Sequence, residues 1–476
     1  ILWIYKEVAM EKFRIDFKKE NGPKYIQLYK HIKNLIENSK IEASEKLPPL
    51  REMSAFLYFI ISTSVKAYDL LETEKFIYKK EGSGSYIYPQ ASASKEVLKA
   101  VRFDLANPQA NMFPVDKFKE AVAIAIEKEG ETLFDYHEGL GYEPLRMSLC
   151  DYMKSLSIES EPDRIQIISG AQQGINIIVN SILNYGDVVF IEEPSYPGAI
   201  DVFKEHGVKV VGIPVLDDGI DIGILKMKLE KIKPSILYTM PNYQNPTGVC
   251  YSEKKKKEIL NLAKQFDFMI IEDDYMSDFD FNNTKIKPLR AYDEENRVIY
   301  IKSFSKILMP GLRIGFMEMP IHVRNIISRI KYSMDISTSS FTQLSLYYYM
   351  TFFGWRNHLD IIKKVYESRF KIAKKYIDSN FSDILTFRKA SGGVNFFAAL
   401  PKDYSSIDLK IFLESKGVKI LEGPLFYYNI KAENEFRISI AHMQENDIEN
   451  NLNTLKNGII EFLSDEKNKM KYKIPN

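Results

Sequence analysis

Short apolar runs that each end in a polar cluster constrain this chain more than any other feature. Met269 to Ile271 runs into Glu272-Asp273-Asp274-Tyr275, and Val298 to Ile301 leads to Ser303-Phe304-Ser305-Lys306, with Arg313 and Gly315 beyond. Runs of this length, bounded in this way, read as buried strands. Two more have the same form. Ile165 to Ile168 leads into Ser169-Gly170-Ala171-Gln172-Gln173-Gly174 and an apolar helical stretch, and Ser235 to Thr239 leads into Pro241-Asn242-Tyr243-Gln244-Asn245-Pro246-Thr247-Gly248. Between residues 115 and 330 apolar runs alternate with helical patterns, as a mostly parallel α/β sheet requires. In open sheets ligands bind beyond the strand ends, where these polar clusters fall.

The residue types in the clusters define a chemistry. An amine can form a Schiff base, a carboxylate can hold a pyridine nitrogen protonated, and hydroxyls with a cation can grip a phosphate dianion. Lys306, the Asp273 and Asp274 pair, and Ser303, Ser305 and Arg313 offer these functions. Small residues at Gly170-Ala171 would let helix-start amides approach a phosphate. The lysine must lose its proton near neutral pH, which partial desolvation beside an arginine favours. The set points to pyridoxal 5′-phosphate (PLP). Spacing to Tyr275 allows either aspartate to face inward.

With these clusters in this order, residues from 103 to the C-terminus resemble the fold-type I PLP-dependent aminotransferases, most clearly in Asn245-Pro246-Thr247-Gly248 and around Lys306. The resemblance implies a PLP-binding large domain (103–335), a mostly parallel sheet with flanking helices, and a small C-terminal α/β domain (336–470) led by a long helix from Phe341 to Asn380. It also implies residue roles. Lys306 is the Schiff-base lysine, Asp273 rather than Asp274 meets the pyridine nitrogen, and Tyr275 with Asn245 meets the phenolic oxygen. Ser303, Ser305, Arg313 and the Ala171-Gln172 turn match the phosphate site, and Tyr196 matches the stacking aromatic. Arg437, in Glu435-Phe436-Arg437-Ile438-Ser439, matches the arginine that grips an amino acid α-carboxylate near Asn245, a bidentate task that suits guanidinium. Tyr136 resembles a tyrosine that reaches the neighbouring subunit's cofactor phosphate, which implies a homodimer.

The first hundred residues have another texture. Pro23 to Asn38 has the apolar spacing of an amphipathic helix, helices are expected at Leu50–Phe56 and Thr63–Glu74, and Phe76 to Tyr88 reads as a hairpin around Gly82-Ser83-Gly84. Three helices and a hairpin make a winged helix-turn-helix. Leu47-Pro48-Pro49-Leu50-Arg51-Glu52, Ala67-Tyr68-Asp69-Leu70-Leu71-Glu72 and the wing resemble the GntR family of DNA-binding domains (21–88), joined by a linker (89–102). Together the halves resemble a MocR-type regulator, in which an aminotransferase fold senses an effector. Candidate DNA contacts are Arg51, Ser62, Thr63, Ser64, Lys66, Lys79, Lys80 and Gly82. Tyr58-Phe59-Ile60-Ile61 replaces the family's Gly-Val-Ser-Arg turn. The stretch after Tyr196 lacks the arginines common in such sensors, which argues against a dicarboxylate or ω-acid effector, and Phe103 to Pro108 lacks the paired glycines of many aminotransferases.

Composition narrows the partners. A net charge of +1 over 476 residues argues against a general polyanion binder, so DNA contact rests on local patches. Two cysteines, Cys150 and Cys250, imply no disulfide framework and suit a reducing cytoplasm. The six histidines are scattered, and no metal site is expected. No apolar run reaches the roughly 18 residues of a membrane span, and Ile1 to Tyr5 is too brief for a signal core. Residues 1–9, ahead of Met10, are assigned no function. The leading expectation is a PLP-dependent transcriptional regulator responding to PLP or an amino acid. The alternatives are an aminotransferase with a vestigial or autoregulatory N-terminal domain and, below it, a DNA-binding protein whose second domain only dimerises.

Overall fold

The computed structural model describes residues 10–17, 22–37, 40–41, 45–74, 76–80, 83–88, 100–136, 139–279, 281, 286–429 and 433–470. The chain divides into two compact units, Ile1–Ala100 and Val101–Asn476. The first contains α1 (Lys24–Glu37), α2 (Leu50–Phe56) and α3 (Ile61–Thr73), then a hairpin of β1 (Ile77–Lys80) and β2 (Gly84–Ile87). This is the element order expected of a winged helix-turn-helix. Leu28, Ile32, Leu35 and Ile36 recur at helical spacing along α1 and share a buried core with Ala67, Tyr68 and Leu71 of α3. The Tyr68 hydroxyl donates to the Pro48 carbonyl at 2.8 Å and ties α3 to the segment entering α2. Helix α3 starts two residues before the expected Thr63, because the Thr63 amide closes its first turn on the Ile60 carbonyl at 2.9 Å.

The second unit opens on β3 (Val101–Arg102). Its main sheet comprises β4 (Ile165–Ile168), β5 (Val188–Glu193), β6 (Lys209–Leu216), β7 (Gly219–Ile220), β8 (Ile236–Thr239), β9 (Met269–Asp274), β10 (Val298–Ser303) and β11 (Gly315–Glu318), ordered β4-β11-β10-β9-β8-β5-β6-β7. Strands β6, β5, β8, β9 and β10 pair in parallel, whereas β11 runs antiparallel to both β10 and β4, and β7 antiparallel to β6. Strands β4, β8 and β10 are buried along their whole length, as strands covered on both faces must be. Because β4 is antiparallel to β11, it points the same way as β10. The C-terminal ends of β4, β8, β9 and β10 therefore share one edge of the sheet.

The C-terminal portion adds β12 (Thr386–Phe387), β13 (Asn395–Ala399), β14 (Val418–Lys419), β15 (Leu421–Glu422) and β16 (Glu435–Ser439), with a sheet ordered β12-β13-β16-β15. Two expectations are corrected here. Residues 101–102 are not linker: β3 pairs in parallel with β14, and the Phe103 amide continues the pairing to the Lys419 carbonyl at 2.9 Å. The long helix from Phe341 is two helices, Ser340–Phe352 and Trp355–Asn380, broken at Gly354, whose φ of 71° is incompatible with continuing a right-handed helix. Most of the 89–102 linker segment, residues 89–99, lies outside the described residues. Among the described residues no helix is long and apolar enough to cross a membrane, and no group of His, Cys, Asp and Glu could hold a metal ion.

Candidate functional site

A cleft of about 460 Å³ opens at the shared strand edge, with Asp273, Lys306, Arg313 and Arg437 among the residues lining it. Strand alternation decides which aspartate enters it. Asp273 lines the cleft, while its neighbours Glu272 and Asp274 belong to the other face. The Glu272 carboxylate accepts the Leu289 and Arg290 amides at 2.6 and 2.7 Å. Asp274 accepts the Lys302 ammonium at 3.1 Å and the Ser277 amide at 2.9 Å. The residues alone allowed either aspartate; the one that lines the cleft is Asp273, the one the family resemblance implied. Its Oδ2 accepts the Tyr238 hydroxyl at 2.8 Å. Burial pushes the Asp273 carboxyl up to about 7, against the pull of that hydrogen bond.

Lys306 follows the end of β10, half-buried, with its Nζ donating to the Asn107 side-chain oxygen at 3.2 Å. Desolvation, and after it the Arg437 charge, brings the Lys306 ammonium down to about 7. A substantial neutral fraction is thus present at physiological pH. Beside it the Ser303 hydroxyl donates to Ser305 Oγ at 3.1 Å. Arg313 adopts a left-handed φ of 50° and directs Nη2 to the Ser169 carbonyl at 2.6 Å. Gly170, at φ 104°, caps the Ala171–Ile182 helix, and a Cβ there would come within 3.0 Å of Arg313 Nη2. Hydroxyls, a guanidinium and a helix N-terminus thus converge where an anion can bind.

Arg437, on β16, is 5 % exposed, so its charge is buried. Its Nη1 donates to Asn245 Oδ1 at 3.1 Å and its Nη2 to the Asp104 carbonyl at 2.8 Å, while its Nε is buried without a partner. The Phe426 ring lies 5.4 Å away, and burial lowers the guanidinium pKa to about 10. The arrangement calls for an anion. Tyr196 caps the Pro197–His206 helix on another wall and donates to Gln172 Oε1 at 3.3 Å.

The structure brings Ala171, Gln172, Tyr196, Asn245, Asp273, Tyr275, Ser303, Ser305, Lys306, Arg313 and Arg437 to this one cleft. Two expected residues behave differently. The Tyr275 hydroxyl is committed as a donor to the Tyr243 carbonyl. Tyr136 is 76 % exposed and is not part of the cleft wall. Asn107 and Tyr238 were missed in the sequence. Asn107 lies in a loop without a local signal, and Tyr238 resembles any apolar strand residue until its hydroxyl meets Asp273. A larger groove of about 730 Å³ lies elsewhere, beside Lys371, Lys374 and Lys389; Glu367 and Asp378 pair with the first two at 2.5 and 2.8 Å.

In the first unit, Arg51, Ser62, Lys66 and Lys80 are exposed and Thr63 is half-buried. The Lys66 ammonium lies 5.5 Å from the Tyr25 ring centre. Ser64 is corrected as a surface donor: it is fully buried, its hydroxyl 2.8 Å from that of Ser54, where it joins α3 to α2. Lys79 is neutralised by Asp69 and Glu72, both at 2.7 Å. Gly82 lies outside the described residues.

The model of aminotransferase class I and II matches residues 104–455. The chain belongs to that family. Aromatic-amino-acid aminotransferase 1 of Thermococcus litoralis is 32 % identical over 406 residues, which cover 82 % of this chain and 97 % of that protein. YcxD of Bacillus subtilis, named as an uncharacterized HTH-type transcriptional regulator, is 28 % identical over 91 % of this chain and 99 % of its own length. Among solved structures, the α-aminoadipate aminotransferase LysN of Thermus thermophilus, complexed with N-(5′-phosphopyridoxyl)-L-leucine, is similar at a TM-score of 0.73 and 26 % identity over 78 % of this chain and 95 % of that one. The cofactor of this aminotransferase-family chain is PLP. Its side chains fit that group: a lysine with a lowered pKa, a buried carboxylate, and an anion cradle that a Cβ at Gly170 would crowd.

Proposed function

We propose that this protein is a PLP-dependent transcriptional regulator, its second unit sensing an amino acid or PLP itself and its first unit binding DNA as a winged helix-turn-helix. One observation carries the reading: the chain joins a cofactor pocket to an N-terminal unit of three helices and a hairpin, and the YcxD match covers more of the chain than the second unit alone contains. Lys306 would attach the cofactor, Asp273 would accept from its ring nitrogen, and Asn245 and Tyr275 would border its phenolic oxygen. Ser303, Ser305, Arg313 and the Ala171-Gln172 helix start would hold its phosphate, and Tyr196 would pack against its ring. Arg437 holds the effector's α-carboxylate. When bound, PLP supplies an electron sink for bonds at the amino acid α-carbon.

The chain's own groups prepare that chemistry. Lys306 is available as a neutral amine near pH 7. Buried Arg437 exchanges its solvent-poor surroundings for a carboxylate, the kind of partner a bidentate guanidinium binds most strongly. Tyr136, exposed in one protomer, is suited to completing the partner's site in a homodimer. Two copies also suit DNA, where paired reading units address two half-sites. Arg51, Ser62, Thr63, Lys66 and Lys80 supply the DNA-facing donors.

Regulation requires the effector to bind the DNA-competent and DNA-incompetent states with different affinity. The test is binding of PLP-loaded protein to the DNA upstream of its own gene, at fixed salt, with and without a panel of amino acids. Sequence-specific binding that shifts with one amino acid supports the reading. Binding no better than to random DNA, together with multiple-turnover transamination with a keto acid, transfers the conclusion to an aminotransferase. The intact lysine, aspartate and arginine set favours that second reading.

A further inference from the structure

Tyr238 is buried in the middle of the sheet, where β8 lies between β5 and β9. Its ring meets Phe203 edge-on at 5.8 Å, on the helix that Tyr196 caps. Its hydroxyl reaches Asp273 Oδ2 at 2.8 Å. A tyrosine hydroxyl has one proton to donate, and this one is spent on a single oxygen of the carboxylate that lines the cleft. Burial and the neighbouring Asp273 charge hold the Tyr238 phenol far above its ordinary pKa, so it stays a donor at every physiological pH. We propose that Tyr238 is the positioning residue for Asp273: by holding Oδ2 it fixes the plane of the carboxylate and keeps it ionised, so that Oδ1 is free to accept from the cofactor's ring nitrogen.

The surroundings of Asp273 make that donor consequential. Asp274 on the same strand and Glu192 on β5 oppose its ionisation, Lys302 on β10 favours it, and Tyr196 faces it across the cleft. Glu192 is itself held by Thr239, Tyr251 and Gln244 at 2.7, 2.6 and 2.9 Å. Lys302 is divided between Asp274 and Asp278, at 3.1 and 2.7 Å. Lys302 is committed elsewhere, and among the described residues Tyr238 is the side-chain donor to the Asp273 carboxylate. Burial already raises the Asp273 carboxyl to about 7, so removing the charge-assisted hydrogen bond from Tyr238 favours the protonated form, which no longer serves as a charged acceptor.

The test uses the full chain stripped of cofactor and titrated with PLP, binding being followed by visible absorbance from pH 5.5 to pH 9. In Tyr238→Phe, which keeps the ring against Phe203, PLP affinity at pH 7 is expected to fall about tenfold. The pH below which affinity is lost moves upward, because the carboxyl protonates more easily. The defect therefore shrinks at the alkaline end. Phe203→Leu, which loosens the same packing but keeps the hydroxyl, leaves the pH midpoint in place. Fluorotyrosine at position 238 provides an isosteric and stronger donor and shifts the midpoint downward, a readout available even if Tyr238→Phe misfolds. An unmoved midpoint in both Tyr238 variants overturns the proposal. So does wild-type PLP affinity in Asp273→Asn, which would remove the assignment of Asp273 along with that of Tyr238.

Discussion

The Lys306 amine donates to the Asn107 side-chain oxygen across 3.2 Å, which joins the end of a buried strand to a loop nearly two hundred residues earlier in the chain. Asn107 is neutral, so it holds the amine without stabilising its charged form as strongly as a carboxylate would. Asn107→Asp places a carboxylate at the same reach and raises the Lys306 pKa. Cofactor attachment by stopped-flow absorbance should slow about fivefold at pH 7, for a rise of about one pKa unit from about 7, and recover toward wild type as pH increases.

Lys306 also carries a pH-dependent cost in the cofactor-free protein. Its folded pKa is about 7 against an ordinary 10.5, so the unfolded chain holds the extra proton between those values and stability rises with pH across that window. Below pH 7 the cost is fully present. Lys306→Met should raise the melting temperature of the cofactor-free chain by a few degrees at pH 6, with the gain fading toward pH 10 in scanning calorimetry.

Arg437 is held by Asn245 and the Asp104 carbonyl in a fixed fork. Lysine cannot reproduce two parallel donors. Arg437→Lys and Arg437→Ala should each weaken amino acid binding by about a hundredfold or more in a spectral titration, while PLP affinity changes far less. Equal losses for both ligands would sink the assignment.

Tyr58 occupies the turn between α2 and α3 at φ 55°, the conformation that a glycine adopts most readily. Its side chain is 91 % exposed, so little packing offsets the strain. Tyr58→Gly should therefore stabilise the first unit by about 1 kcal/mol, read from amide hydrogen exchange of α2 and α3 in the full chain.

On DNA, Arg51 and Lys79 should separate. Lys79 already has two carboxylate partners, whereas Arg51 is exposed on α2. Arg51→Ala should weaken binding and reduce the salt slope by about one, whereas Lys79→Ala should leave the slope nearly unchanged. Fluorescence anisotropy at several salt concentrations distinguishes them.

The cleft was legible because its groups follow buried strands. Apolar runs located β4, β8, β9 and β10, and the polar residues in the segments that follow them include Gln172, Asn245, Tyr275 and Lys306. Less legible were groups whose role depends on a distant partner. Ser64 looks like a surface hydroxyl until α3 packs on α2, and Lys79 looks like a free cation until the hairpin brings it to Asp69 and Glu72. Gly354 broke a helix whose apolar spacing continued across it, since periodicity records which side is buried and not whether one residue has left the helical basin.

By itself the sequence determined the strand and helix pattern, the two-unit organisation and the residue types at the strand ends, because burial period and turn chemistry are local properties. Asp273 was implied by the family resemblance and lines the cleft, but tertiary structure alone decided that Tyr238 holds it and that Asn107 meets Lys306. Those outcomes depend on strand register and on which desolvated groups become neighbours. Neither is encoded in any one segment of the chain.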